Sequence, residues 1–129
     1  MTNTMQAVWI STYGGPEVLE IRTVGKPLIN DEQVLVRVRA SSLNRADLLQ
    51  RQGKYPAPQG VVQNIPGLEF AGEVAELGPG AMYWEKSDRV FGLTPGGAHA
   101  ERRSRSGRRR HHRAALCFLE RHLQGDGDP

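Results

Sequence analysis

Residues 42–72, SLNRADLLQRQGKYPAPQGVVQNIPGLEFAG, constrain the fold of this chain more than any other segment. A polar helix start is followed by a glycine, a loop with several prolines, and a strand-like run that has a glycine inside it. Proline and glycine interrupt regular structure, so the loop is expected to cross between two elements rather than to form one. The segment therefore predicts one half of an active-site cleft.

The helix in this segment has clear start and stop signals. Asn44 is a good N-cap residue, and Asp47 lies three residues later, where a carboxylate suits the positive end of a helix. Leu48 and Leu49 supply the apolar side. Gly53 is placed to end the helix in the left-handed conformation.

Short strands separated by turns surround the helix and predict a mainly β domain. Residues 34–40 alternate valine and alanine with Leu35, Arg37 and Arg39, which indicates one buried face and one mainly wet face. Gly72, inside the strand at 68–77, indicates a bulge or a close backbone approach. The first two strands are expected to pair antiparallel. The predicted strands are 5–11, 18–24, 34–40, 68–77 and 89–93, with a further short segment at 98–101.

Length and composition narrow the class of protein. The chain has 129 residues, enough for one domain with its own core, and its 15 glycines and 8 prolines favour turns over long helices. It has neither an apolar run long enough to span a membrane nor a signal-peptide pattern, so a cytoplasmic protein is expected. Cys117, the single cysteine, excludes an internal disulfide and a multi-cysteine zinc site.

Four motifs occur in order over residues 7–101: AVWISTYGGPEVLEI, VLVRVRASSLNRADLLQRQGKYP, PGLEFAGEVAELGPG and DRVFGLTPGGAHAE. Together they resemble the N-terminal catalytic domain of the zinc-free quinone oxidoreductases, which are medium-chain dehydrogenase/reductases related to zeta-crystallin. The resemblance implies a GroES-like, partly open β-barrel with short helices. In the family a dinucleotide-binding domain follows, NADPH binds between the two domains and passes a hydride to a quinone or an activated alkene, and homodimers form mainly through the cofactor domain.

The resemblance also suggests two site residues. Asn44 corresponds to the family's cofactor-facing asparagine, whose amide can bind near the nicotinamide; the alternative is a plain N-cap, and both roles can hold together. Tyr55 corresponds to a tyrosine that lines the substrate cleft. Its phenol can hydrogen-bond a quinone oxygen as negative charge develops there, whereas the alternative is a half-exposed loop aromatic.

No metal is expected. Asn44 and Leu68 stand where the zinc alcohol dehydrogenases of this superfamily have a cysteine and a histidine, and neither side chain is a usual zinc ligand. Without zinc to approach, Glu69 is expected to make a buried hydrogen bond or ion pair. Ser87 stands where relatives usually have glycine, a small change in a turn.

Four further residues are expected to be structural. Arg45 and Asp47 are each expected to be structural, with an intrahelical or loop ion pair as the ordinary outcome. His99 has no partner in a recognisable triad. Gly67, like Gly72, is expected to serve close packing.

The last part of the chain differs in charge from the rest. Residues 1–100 hold nine Lys and Arg against ten Asp and Glu, whereas residues 101–129 hold eight Arg against four Asp and Glu. The run RRSRSGRRRHHR could bind nucleic acid, act as a localisation signal, or come from a shifted reading frame. The abrupt change inside a well-matched strand, with no aromatic residue between the arginines, favours the last, so a nucleic-acid partner is not expected.

The expected organisation is therefore a GroES-like catalytic domain at 1–101 and a basic, disordered tail, unrelated to the family, at 102–129. Residues 114–123 could form a short helix. No G-x-G-x-x-G follows a strand, so the nucleotide-binding domain is expected to be absent. The chain is predicted to be the N-terminal part of an NADPH-dependent quinone oxidoreductase, inactive alone. The alternative is a non-enzymatic GroES-like fragment whose basic tail binds a partner or nucleic acid.

Overall fold

The computed structural model describes residues 3–106, which form two antiparallel sheets. The elements are β1 (Thr4–Ile10), a 3₁₀ turn (Pro16–Val18), β2 (Leu19–Gly25), β3 (Gln33–Ser41), α1 (Arg45–Arg51), β4 (Glu69–Leu77), β5 (Arg89–Leu93) and β6 (Arg102–Ser106). One sheet has the order β1-β2 and the other the order β5-β4-β3-β6. Neither sheet closes on itself within these residues, which confirms the predicted mainly β, partly open architecture. In the same residues no helix is long and apolar enough to cross a bilayer.

Strand β3 is one of the two inner strands of the larger sheet and lies between β4 and β6. Val34 and Val36 are fully buried, as the alternation predicts. Leu35, on the opposite face, is only 2% exposed, so the predicted wet face is limited to Arg37 and Arg39. Each fully buried valine stabilises the fold by about 1.5–3 kcal/mol. The core cluster consists of Val34, Val36, Phe70, Val74, Ala81, Val90 and Ala98.

Gly72 lets β4 approach β3 closely. A Cβ atom at this position would overlap the carbonyl group of Arg37. The pairing of the two strands also shifts register between Val38 and Ala40, beside Gly72. The close backbone approach predicted for this glycine is confirmed, and the register shift beside it marks a bulge or a similar irregularity in the pairing.

Ser87 adopts an unusual backbone conformation for its residue type. Its φ is +73°, in the left-handed region that glycine occupies without steric conflict. Its N–H donates to the carbonyl of Val74 at 2.8 Å, which holds the turn against β4. The serine that replaces the family's usual glycine is therefore strained, so this change is larger than the sequence suggests.

The short segment at 98–101 joins the two sheets. Ala100 forms an isolated bridge with Ala7 of β1, and the N–H of Val8 donates to the carbonyl of His99 at 2.9 Å. On the other side, the N–H of Val38 in β3 donates to the carbonyl of Glu101 at 2.9 Å. Residues 98–101 are thus held between β1 and β3.

The prediction of a disordered tail from residue 102 is wrong for its first five residues, because Arg102–Ser106 form β6. This strand pairs antiparallel with the otherwise open edge of β3. The backbone groups at that edge need hydrogen-bond partners, and a strand can supply them whatever its side chains are. Arg103 Nε and Nη2 both donate to Thr94 Oγ1, at 3.0 and 2.5 Å, and burial lowers the pKa of Arg103. The rest of the predicted tail and the predicted helix at 114–123 lie outside the described residues.

Candidate functional site

The candidate site is built around the N-terminus of α1. Asn44 is its N-cap residue, with extended backbone angles of φ −124° and ψ 158°. The backbone N–H of Asn44 donates to Asp47 Oδ2 at 2.7 Å, so the carboxylate at the third helical position holds the cap residue in place. The predicted cap is confirmed, and it fixes the point at which the chain turns from β3 into the helix.

The other end of α1 leads to Tyr55. Gly53 has a φ of +75°, and the N–H of Lys54 donates back to the carbonyl of Leu49 at 2.8 Å, which is the pattern of a Schellman end. Gly53 therefore ends the helix as predicted. Two residues later, the Tyr55 side chain is 45% exposed, and its phenol makes no hydrogen bond in the part of the chain that the structure describes. No hydrogen bond links Tyr55 to Asn44 among the described residues, and the substrate role of Tyr55 stays a prediction.

A polar cluster of Ser42, Asn44 and Glu69 lies beside the start of α1. Asn44 Nδ2 donates to Glu69 Oε2 at 3.2 Å, and the Ser42 hydroxyl donates to the same oxygen in a short hydrogen bond. The bond from Ser42, and then the bond from Asn44, hold the pKa of Glu69 below its usual range. The predicted hydrogen bond of Glu69 is confirmed, although the carboxylate is half-buried rather than buried. An ionised Glu69 thus orients the amide of Asn44.

A second polar chain consists of Ser41, His99 and Asp47. His99 Nδ1 lies 2.8 Å from Ser41 Oγ, and His99 Nε2 lies 3.5 Å from Asp47 Oδ2. The His99 and Asp47 side chains are only 10% and 7% exposed. His99 thus has a polar neighbour at each ring nitrogen, which the sequence did not reveal. Asp47 makes its close charged-type contact with His99 of a distant loop.

Gly67 holds the His99 ring from one side. Its φ is +110°, and a Cβ atom there would lie 2.7 Å from the backbone nitrogen of His99 and 2.9 Å from its Cγ. Only glycine combines this backbone angle with this approach. The close packing predicted for Gly67 is confirmed, and its partner is a residue of the site.

Ser41, Asp47 and His99 open onto a groove of about 660 Å³. Asn44 and Tyr55 do not line it, so the polar cluster at Glu69 and this groove are distinct features. Across residues 3–106, no group of three or more His, Cys, Asp and Glu side chains could hold a metal ion. Exposed apolar side chains on the groove wall are Leu19, Ile21, Leu43 and Leu48.

Comparison with known proteins identifies one family and several relatives. The family model of the alcohol dehydrogenase GroES-like domain matches residues 30–125. The quinone oxidoreductase of Homo sapiens is 36% identical over 99 residues, which cover 75% of this chain and 30% of that relative. The NADPH-dependent alkenal/one oxidoreductase, chloroplastic, of Arabidopsis thaliana is 35% identical over 88 residues, or 67% of this chain and 23% of that relative. A quinone oxidoreductase crystal structure from Pseudomonas syringae pv. Tomato superposes with a TM-score of 0.71 at 35% identity, covering 79% of this chain and 31% of that one.

The lengths of these matches can be compared with the expected division of the chain into a domain at 1–101 and a tail at 102–129. The chain spans 30% or less of the length of the human and Arabidopsis relatives. The family match also continues beyond Glu101, where the sequence predicts that the resemblance ends. Strand β6 agrees with the longer extent, because residues 102–106 complete one edge of the larger sheet.

Proposed function

The chain belongs to the alcohol dehydrogenase GroES-like domain family, and from this premise we propose that it is the N-terminal catalytic part of an NADPH-dependent oxidoreductase. The reaction is the transfer of a hydride to a quinone or an activated alkene. One observation carries the proposal: the amide of Asn44, at the position of the family's cofactor-facing asparagine, is held in one orientation by Glu69. The similarity to quinone and alkenal/one oxidoreductases supports this substrate class.

Asn44 is suited to binding the nicotinamide half of the cofactor. Its Nδ2 donates to Glu69 Oε2, and its amide oxygen, which has two lone pairs, can accept a hydrogen bond from a ribose hydroxyl or a carboxamide. Such a bond stabilises binding by about 0.5–1.5 kcal/mol. The bound dinucleotide supplies the hydride, so this domain needs only to position and orient the cofactor and the substrate.

Tyr55 is the proposed contact with the substrate. Its phenol is exposed and free of hydrogen bonds within the described residues, so it can donate to the oxygen of a quinone or enone. Negative charge develops on that oxygen when a hydride reaches the conjugated system, and a donor placed there stabilises the transition state more than the ground state. Tyr55 thus lowers the barrier without changing its own protonation state.

We also propose that no metal takes part. Asn44 and Leu68 replace the thiolate and imidazole that a zinc ion would need, and the Asn44 amide is already bonded to Glu69. Elemental analysis of the complete protein is expected to find less than one zinc per chain. One tightly held metal ion per chain would contradict this part of the proposal.

A chimera tests the function directly. In the human quinone oxidoreductase, the matching N-terminal segment is replaced with the corresponding residues of this chain, and NADPH oxidation is followed with a quinone and with an enone. The chimera is expected to reduce at least one of them, and Tyr55→Phe is expected to lower kcat about tenfold, since one transition-state hydrogen bond is lost.

Asn44→Ala and Arg45→Ala form a matched pair in the chimera. Asn44→Ala is expected to raise the KM for NADPH by up to about tenfold, which corresponds to one lost hydrogen bond. Arg45→Ala, at the next position, is expected to leave it unchanged because Arg45 lies outside the polar cluster. A chimera that folds and binds NADPH but reduces neither substrate class refutes the proposed function.

A further inference from the structure

Two buried side-chain atoms beside the groove have no hydrogen-bond partner among the described residues: Asp47 Oδ1 and His99 Nε2. Buried polar side-chain atoms in folded proteins are nearly always bonded, so such a pair needs a physical explanation. His99 Nε2 lies 3.5 Å from the other carboxylate oxygen of Asp47, Oδ2, which is slightly long for a hydrogen bond but close enough for direct attraction.

The backbone of His99 is held tightly, so its ring stays at this place. Its N–H donates to the carbonyl of Pro66 at 3.0 Å, and its carbonyl accepts from Val8 at 2.9 Å. Gly67 packs against the ring so closely that any side chain there would collide with it. The imidazole is therefore presented to Asp47 in one position.

Ser41 is the partner of the other ring nitrogen, Nδ1. Its hydroxyl lies 2.8 Å from His99 Nδ1 and can donate to it. When Nδ1 accepts this bond, the neutral ring carries its proton on Nε2, which is the nitrogen that faces Asp47. An Nε2–H group is the only arrangement of the neutral ring that attracts the carboxylate.

Asp47 contacts both His99 and Asn44, the proposed cofactor-binding residue. Its Oδ2 accepts the backbone N–H of Asn44 at 2.7 Å and is the same oxygen that His99 approaches. We propose that His99 is a positioning residue: through Nε2–H it fixes the Asp47 carboxylate, which in turn fixes Asn44 at the start of α1. This inference rests on the proposed function, because it takes the orientation of Asn44 to matter for cofactor binding.

The protonation of His99 provides the first test, in the native chain without any ligand. Nitrogen-15 NMR of the 129-residue protein distinguishes a protonated from an unprotonated ring nitrogen. The expected result is a proton on Nε2, in a neutral or a charged ring. A neutral ring protonated only on Nδ1 would overturn the proposal, because a bare Nε2 repels the carboxylate of Asp47.

Variants of His99 provide the second test, with the side-chain amide signal of Asn44 as the readout. His99→Ala is expected to shift or broaden this signal, while His99→Gln, whose amide can donate to Asp47, is expected to restore it. The indole signals of Trp9 and Trp84 report whether the fold is intact. A folded His99→Ala protein with an unchanged Asn44 signal would overturn the proposal.

Ser41→Ala keeps the proposal testable if His99→Ala does not fold. Loss of the hydroxyl removes the partner of Nδ1 and loosens the ring, so the Asn44 signal is expected to shift. An unchanged Asn44 signal would count against the mechanism. All these measurements use the ligand-free chain. Their outcome therefore does not depend on whether the protein binds NADPH or reduces quinones.

Discussion

Replacing Gly67 with alanine tests how tightly the chain packs around His99. Two effects oppose the new methyl group: the φ of +110° is unfavourable for a residue with a Cβ atom, and that atom would lie 2.7 Å from the backbone nitrogen of His99. The backbone there cannot move freely, because the His99 N–H is bonded to Pro66. A large loss of stability is therefore expected.

Gly60 is a matched control that separates the two effects. It also has a positive φ, +86°, but a Cβ atom there would meet nothing within 4 Å. Gly60→Ala should thus lose only the conformational term, about 1–2 kcal/mol. Gly67→Ala adds the overpacking term of about 1–3 kcal/mol, for a total of about 2–5 kcal/mol.

The free energy of unfolding of both variants is measured by urea denaturation, followed by the fluorescence of Trp9 and Trp84. The expected result is a difference of at least about 1 kcal/mol between the two variants, with Gly67→Ala the less stable. Equal losses within about 0.5 kcal/mol would show that the contact with His99 adds nothing, and the packing explanation would be refuted.

Three further predictions follow from the site and the turns. Ser87→Gly is expected to raise the free energy of unfolding by up to about 1 kcal/mol, since it relieves the left-handed strain at φ +73°; a loss of stability in urea denaturation would contradict this. Because the folded pKa of Glu69 is lowered, its hydrogen bonds stabilise the fold fully above the ordinary carboxyl pKa of roughly 4.3 and lose this effect as the pH falls through the folded pKa. The stability advantage of wild type over Glu69→Gln should shrink between about pH 6 and about pH 3, and an advantage independent of pH would argue against ionised Glu69. The 129-residue chain alone is expected to show no NADPH binding in a fluorescence titration, and a micromolar Kd would disprove this.

The features that the sequence predicts well depend on the local backbone. The cap at Asn44, the helix end at Gly53 and the close approach at Gly72 each follow from the conformational preferences of a few consecutive residues. The strands flanking them follow from the alternation of apolar and polar side chains. The family resemblance rests on these same segments, and the family match confirms it.

The features that the sequence does not reveal depend on contacts between distant segments. His99 meets Ser41 and Asp47 only because residues 98–101 are laid between β1 and β3, and no spacing in the sequence marks that contact. Strand β6 is hidden for a different reason. Its arginine-rich composition lacks the apolar alternation of a strand. The backbone groups at the edge of β3 require hydrogen-bond partners, and this requirement outweighs the unfavourable composition.

The position of β6 at the edge of β3 has a consequence for the order in which the chain is made. Strand β3 is synthesised early, and β4 can pair with one of its edges well before residues 102–106 exist. Until then the other edge of β3 exposes its backbone N–H and C=O groups to any strand that can pair with them. The valines of β3 that are buried in the folded protein lie beside these groups. The nascent chain is therefore most open to mispairing in the interval between the completion of β4 and the arrival of β6, and a chaperone that covers a strand edge would act in that interval.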